Sequence, residues 1–481
     1  MSPTPSLKTV LTFSLLSLTA MSGCTDFESS FVYSDRTSAL IPEAQDGLDG
    51  QPGVKSLLDE KFGTPQDLKA WLKLPVDFGG LSVGIEKVVP GDDGRSEVTF
   101  SELEDGSFPA TAVSVEIMSG EASGEVLQFA SWDADTRTAV LATESTKPLA
   151  AGDQCSIDRG QVLKDGRVLY MRHCSHCHGT AGDGKGPTAE YLNPRPRDYR
   201  HGIFKFTSTN AESKASRDDI ARILKYGIPG TYMPSFLLLK DQELHAIVEY
   251  VRFLAMRGEY ERKLTVELAT DFSTKQVEQQ QKDGESRESI LSNLKGFLAA
   301  DMKEQSVALG DELAEQWTAS DTEDALIIPK VPRIADSVES RRRGRELYLS
   351  KTLNCADCHG VDGAGNGPQT TAFEKNPVTG ELYPEAGLHD IWDNSNQPRN
   401  LQAGIYRGGR RPIDLFNRIH AGIKGSRMPS FKNTPEEDIW HVVNYILSVP
   451  FESEPGATGT PSTAPAAAAT AATDSSDAAA K

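Results

Sequence analysis

The sequence predicts a mainly α-helical protein with two helical units in tandem, a small β-rich region before them and a partly helical connector between them. Three observations predict it. A Cys-x-x-Cys-His motif occurs twice, in "HCSHCHG" (Cys174, Cys177, His178) and in "NCADCHG" (Cys355, Cys358, His359). Each is followed, 55 and 69 residues after its histidine, by Met-Pro-Ser-Phe, at Met233 and Met428. Around both motifs apolar residues recur at helical spacing, whereas residues 81–157 carry short β-prone runs.

The length of 481 residues exceeds one typical domain of roughly 100–200 residues, so several folded units are expected. With a net charge of −19, nucleic acid is not an expected partner. Near the start, Val10 to Cys24 is hydrophobic, preceded by Lys8 and closed by small residues, the layout of a signal peptide over 1–23. Its last residues, Met21-Ser22-Gly23-Cys24, resemble the bacterial lipoprotein box, which makes Cys24 the expected lipidation site. The expected location is then the periplasmic side of a bacterial membrane, tethered to its surface by lipid rather than inserted. Residues 24–55, polar and rich in Ser, Asp and Gly, are expected to form the tether. Of six cysteines, four lie in the repeated motifs and Cys24 is the lipid site, leaving Cys155 as a small buried filler and no disulfide framework.

Within residues 56–158 the stretch "GTPQDLKAWLKL" predicts a short helix, with Thr64 as cap, Pro65 at the first position and Leu68, Trp71 and Leu72 on one face. The runs "AVSVEI", "VLQFASW" and "TAVLAT" then predict strands, the last two forming a hairpin around "DADTR". This region has no ligand cluster, and a structural or partner-binding role is expected. The units at 159–258 and 338–450 repeat each other beyond the cysteines. "GRVLY" answers "GRELY", "PRDYRHGIFK" answers "PRNLQAGIYR", and the stripe Leu244, Ile247, Val248, Val251 answers Ile439, Val442, Val443, Ile446. An insertion in the second copy, "FEKNPVTGELYPEAGLHDIWDN", is expected as a surface loop. Residues 259–337, charged with sparse apolar residues, predict a connector, and 451–481 an Ala/Thr/Ser tail too simple to form a core.

Two cysteines three apart share one side of a helical turn, and a histidine one residue later projects from the same side. A flat macrocycle can be stapled through both sulfurs while the imidazole meets its metal, which is haem c attachment. Zinc is the main rival, but a structural zinc site wants four closed ligands, and each motif here has its own distant methionine instead. A thioether suits haem iron better than zinc. A thioredoxin-like reading lacks its βαβ context. Export fits as well, because haem c is attached outside the cytoplasm. Met233 and Met428 are the expected sixth ligands opposite His178 and His359, each with its backbone restricted by the following proline. His201, His389 and His420 are rivals that do not recur between the copies. The loops "GTAGDGKGP" and "GVDGAGNGP" are expected to wrap the haem edge. Arg197 and Arg399, in the paired Pro-Arg motifs, are candidates to neutralise a haem propionate, with a surface salt bridge as the alternative.

Taken together, the aromatic-bearing first helix, CxxCHG, the glycine loop, Met-Pro and the amphipathic closing helix resemble class I c-type cytochrome domains, over residues 160–257 and 338–450. The resemblance implies two covalently bound haems c, His/Met ligation and single-electron relay. Dihaem chains of this kind resemble the cytochrome c subunits of bacterial respiratory complexes, implying a redox donor and acceptor and a membrane respiratory complex as partners. A second class is a dihaem enzyme, peroxidase-like or thiosulfate-oxidising, in which one iron exchanges a ligand. A third makes the β-rich region a docking module for a partner.

Overall fold

Both helical units are built on a helix crossing close enough that only glycine fits at the contact. In the computed structural model, which describes residues 30–452 apart from 92–94, 104–105 and 378, the leading helix Gln161–His173 crosses the closing helix Asp241–Phe272 at Gly166. A Cβ on Gly166 would stand 2.1 Å from the Ala246 carbonyl oxygen. The second unit repeats the contact: Val338–Leu349 crosses Glu436–Ser448 at Gly344, whose Cβ would lie 2.0 Å from the His441 carbonyl oxygen. One turn further on, Tyr170 meets Tyr250 edge-on with ring centroids 5.3 Å apart, and Tyr348 meets Tyr445 at 5.2 Å. Middle helices, Arg217–Tyr226 and Pro412–Ala421, complete each unit. The first starts with a Ser216–Asp219 capping box and the second with Pro412 at its first position. The two stripes read from the sequence are buried throughout.

The β-rich region is a closed antiparallel barrel of six strands: β1 Leu81–Val89, β2 Glu97–Phe100, β3 Ser114–Ile117, β4 Val126–Asp133, β5 Thr138–Leu141 and β6 Gln154–Ile157. The order is β1-β2-β5-β4-β3-β6, with β6 closing on β1 through the register Leu81 to Ile157. The β4–β5 hairpin turns on Asp133, whose carboxylate accepts the Asp135 and Thr136 N–H groups at 2.9 and 3.2 Å. Cys155 is buried inside the barrel, its thiol pushed up to about 12 by desolvation, as suits an inert filler.

Four expectations are corrected. Residues 30–55 are not a tether: Phe31, Leu40, Ile41 and Ala44 are buried, and Ser34 N–H and Thr37 Oγ1 donate to Glu261 at 2.6 and 2.7 Å. A helix forms at Val54–Phe62 rather than after Thr64. There Thr64 caps a tight turn, accepting from Asp67 N–H at 3.2 Å while Thr64 N–H donates to the Asp67 carbonyl at 3.0 Å, so its hydroxyl serves a turn rather than a helix. Trp71 nevertheless packs on Phe62 and Tyr260, with centroids 5.4 and 5.1 Å away.

The connector is part of the first core. The closing helix continues past residue 258 to Phe272, and helices Thr274–Lys282, Arg287–Ala299 and Asp301–Ala319 fold back onto it. Ile290, Leu294 and Leu298 recur every fourth residue and are buried with Leu313 and Trp317. Sparse apolar residues suffice when they all face one way. Finally, the insertion of the second unit is not a free surface loop, since Tyr383, Leu388, His389 and Asp390 are buried. Asp390 reaches the first unit, pairing with Lys205 at 2.9 Å and Arg197 at 3.8 Å. Lys424 adds a second pin, donating to Thr209 Oγ1 and the Ser213 carbonyl at 2.8 and 2.6 Å.

The expected signal peptide, Cys24 and the tail beyond residue 452 lie outside the described residues. Among the described residues no helix is long and apolar enough to cross a membrane.

The crossing makes a testable contrast. Gly344→Ala forces a methyl onto backbone and is expected to lower stability by about 1–3 kcal/mol or more. Gly296→Ala, in an exposed helical position whose Cβ would meet nothing within 4 Å, is expected to raise it by about 0.4–1 kcal/mol. Urea unfolding of both variants checks the pair; equal effects would show that the crossing is not the constraint.

Candidate functional site

Each helical unit encloses one cavity, and each cavity gathers the residues that the repeat singled out. The first, of about 220 Å³, is lined by Cys174, Cys177, His178 and Met233 together with apolar residues such as Leu192, Ile220, Leu224 and Val251. The second, of about 560 Å³, is lined by Cys355, Cys358, His359 and Met428 with Leu388, Leu401, Leu415 and Val442. His201, His389 and His420 line neither cavity. His173 and His176 do line the first; neither was among the candidates weighed from the sequence, and their counterparts in the second copy are Asn354 and Asp357.

The imidazoles are prepared for a metal by backbone. His178 Nδ1 lies 3.1 Å from the Arg197 carbonyl oxygen, and His359 Nδ1 lies 3.1 Å from that of Arg399. A carbonyl only accepts, so Nδ1 carries the proton and Nε2 keeps its lone pair when the ring is neutral. Burial keeps it neutral, pushing His178 down to about 4 and His359 in the same direction. The paired Pro-Arg motifs therefore act on the site first through their carbonyls, a role the sequence reading missed by attending to the side chains. Those side chains diverge. The Arg197 guanidinium stacks 3.8 Å from the Trp392 ring, while Arg399 Nε donates to the Ile405 carbonyl at 2.9 Å. Both arginines still line their own cavities.

The CxxCH turn is held from behind. Tyr170 Oη donates to the Gly179 carbonyl at 2.9 Å, and Tyr348 Oη to the Gly360 carbonyl at 2.6 Å. The glycine loops close on the same turn: Gly184 N–H and Gly186 N–H donate to the His178 and Cys177 carbonyls, at 2.9 and 3.2 Å. In the second unit Gly365 and Gly367 do the same to His359 and Cys358, at 2.7 and 3.1 Å. A Cβ on Gly186 would lie 2.5 Å from the Ser175 carbonyl oxygen, so these glycines are needed for close approach to the motif's own backbone. Burial pushes the Cys174 and Cys355 thiols up to about 12, and neither is in a disulfide.

The methionine loops share one set of bonds. Met233 N–H donates to Thr231 Oγ1 at 3.1 Å and Met428 N–H to Ser426 Oγ at 3.2 Å. The serine of each Met-Pro-Ser-Phe ties back to the middle helix: Ser235 Oγ to the Lys225 carbonyl and Ser430 Oγ to the His420 carbonyl, both at 2.7 Å. The following phenylalanine N–H reaches the same helix end, Phe236 to Leu224 at 3.0 Å and Phe431 to Ile419 at 3.1 Å. Two thiols, a neutral imidazole and a thioether facing one mostly apolar cavity are a donor set that fits a covalently attached haem, and fits it twice.

Residues 163–255 and 342–450 match the cytochrome c family. No curated protein matches the chain. A solved structure from Kuenenia stuttgartiensis, a reducing HAO-like protein complex, matches with 20% identity over 60% of this chain and 96% of that one, at a TM-score of 0.40.

Tyr170→Phe removes the hydroxyl and leaves the buried Gly179 carbonyl without its side-chain donor. The expected loss is about 1–3 kcal/mol in the denaturant stability of the haem-loaded protein, and no loss would show that the hydroxyl does not brace the motif.

Proposed function

We propose that this chain, whose residues 163–255 and 342–450 are cytochrome c domains, carries two covalent haems c and relays single electrons between redox proteins at the periplasmic side of a bacterial membrane. The observation that carries the reading is the double convergence of two cysteines, a histidine and a methionine on one cavity per domain. Bound haem supplies a one-electron couple at each site. Cys174 with Cys177, and Cys355 with Cys358, are the attachment pairs. His178 and His359 offer Nε2 because their Nδ1–H groups are held by carbonyls. Met233 and Met428, which line the same cavities, would supply a thioether to each haem, and the apolar lining would exclude water. With imidazole and thioether both supplied by protein, a bound haem would be used for electron transfer rather than substrate binding.

The enzyme alternative requires Met233 or Met428 to leave its place. The hydroxyl-braced loops oppose that, since each methionine has hydrogen bonds on both flanks. We assign the membrane contact to lipid on Cys24, and the donor and acceptor to a membrane respiratory complex and its redox partner.

Two measurements test the reading. In the oxidised protein, the weak long-wavelength absorption band of thioether-ligated iron is expected to fall by about half in Met233→Ala or Met428→Ala and to vanish in the double variant, by the ligand chemistry of haem. A band that survives in the double variant overturns both assignments. For the anchor, Cys24→Ser is expected to move the protein from the membrane fraction to the soluble periplasmic fraction, and retention on the membrane overturns lipidation.

A further inference from the structure

The two cavities share a wall. Lys205, Phe206 and Arg407 each line both of them, so at this place a single layer of side chains separates the first site from the second. Lys205 and Arg407 hold the same position in the repeat, as the last residues of "PRDYRHGIFK" and "PRNLQAGIYR". Each domain therefore contributes the same cation to its neighbour's cavity. Phe206 between them packs on second-domain backbone, where a Cβ on Gly408 would lie 2.7 Å from its Cγ.

This wall carries more positive charge than its protein partners balance. Asp390 pairs with Lys205 at 2.9 Å and Arg197 at 3.8 Å, the two sharing one carboxylate. Arg407 pairs with no carboxylate among the described residues, and its Nε is buried without a hydrogen-bond partner. Burial pushes the Lys205 ammonium down to about 8, with Arg197 and Arg407 adding like-charge repulsion. Buried cations left in this way are destabilising by several kcal/mol unless an anion meets them. Arg418 has an orphaned Nε too, but it lines the second cavity alone, and its counterpart in the first unit is Ile223.

We infer that Lys205 and Arg407 form an exchanged cation pair that binds the propionate carboxylates of both haems at the domain interface, so that each domain sets the electrostatics of the other's iron. The inference rests on the dihaem reading above. It adds to Arg399, which also lines the second cavity while its Nε donates to the Ile405 carbonyl. The interface is then complete only when both sites are loaded, and the two sites exchange electrons across the thinnest protein layer that separates them.

A redox titration of the full-length, haem-loaded chain, followed by visible absorption, tests this. The unsubstituted protein is expected to hold two haems per chain and to titrate in two one-electron steps; a content of one haem or none, measured as the pyridine haemochrome, counts against the dihaem reading itself. Given two steps, Arg407→Gln is expected to lower both midpoints, because losing a cation favours the oxidised iron in each site. Lys205→Gln is expected to do the same, Arg407→Lys to restore both, and Arg418→Gln to lower one only. If Arg407→Gln and Lys205→Gln each move one step, or none, neither cation is shared between the two sites and the proposal is overturned. Should Arg407→Gln fail to take up haem, Lys205→Gln with Arg407→Lys decides by the same criterion.

Discussion

The position of the thiols and the imidazole in each domain follows from how closely two helices approach. Gly166 and Gly344 let the leading helix rest on the backbone of the closing helix, and Tyr170 and Tyr348 lock the crossing one turn later. From there the tyrosine hydroxyl reaches the carbonyl of the glycine after CxxCH, so the crossing, through one hydrogen bond, orients the turn that carries thiols and imidazole. The spacing shows that helix continuity is not what matters. Tyr170 precedes Cys174 by four residues, whereas Tyr348 precedes Cys355 by seven, yet both hydroxyls find the equivalent carbonyl. The additional residues are absorbed in a turn after Leu349, where Asn354 takes the left-handed conformation that asparagine tolerates, at φ 50°.

The two domains differ in what surrounds that shared frame. The closing helix of the first is 32 residues long against 13 in the second, and it carries buried charge both along the shared length and beyond it. Glu249 holds Arg217 and the Asp77 N–H, Arg252 meets Asp321 at 2.8 Å, Glu259 accepts from Trp317 Nε1 at 3.0 Å, and Glu261 binds Ser34 and Thr37. These partners come from several segments: the middle helix (Arg217), the stretch before the barrel (Asp77), the end of the last connector helix (Trp317, Asp321) and the N-terminal segment (Ser34, Thr37). Buried ion pairs contribute little net stability compared with apolar packing, but a misdocked element would leave one charge stranded at a cost of about 3–5 kcal/mol. The helix thus specifies which segment lies where along its length.

The residues that gather on each cavity, the repeat, the buried stripes and the β-rich region were legible because each is written in local spacing or in comparison of one copy with the other. Accessory packing was not. Segments 30–55 and 259–337 look polar by composition, and composition averages over all faces of a helix, while Ile290, Leu294 and Leu298 bury only one. Thr64 and Pro65 carry a start signal that serves a turn equally well, and it takes Tyr260, distant in sequence, together with Phe62 to seat Trp71 without a helix. The Pro-Arg motif was legible as a repeated feature, but the part its backbone plays was not. Repetition preserved a carbonyl, which has no letter of its own, whereas the guanidinium groups went separate ways.

Internal repetition also makes differences informative, because each domain is the other's control. Around Met233 the first domain exposes Tyr232, Leu237 and Leu238, whose counterparts around Met428 are Arg427, Lys432 and Asn433. Those polar counterparts are partly engaged within the chain: Arg427 pairs with Glu374 of the insertion at 3.1 Å, and Lys432 with Glu212 of the first domain. The second methionine loop is therefore held inward by the insertion and the neighbouring domain, while the first turns apolar side chains outward. Two equal frames have been given unequal surroundings, and a chain with one covered end and one open end has a built-in polarity that its repeat alone would not supply.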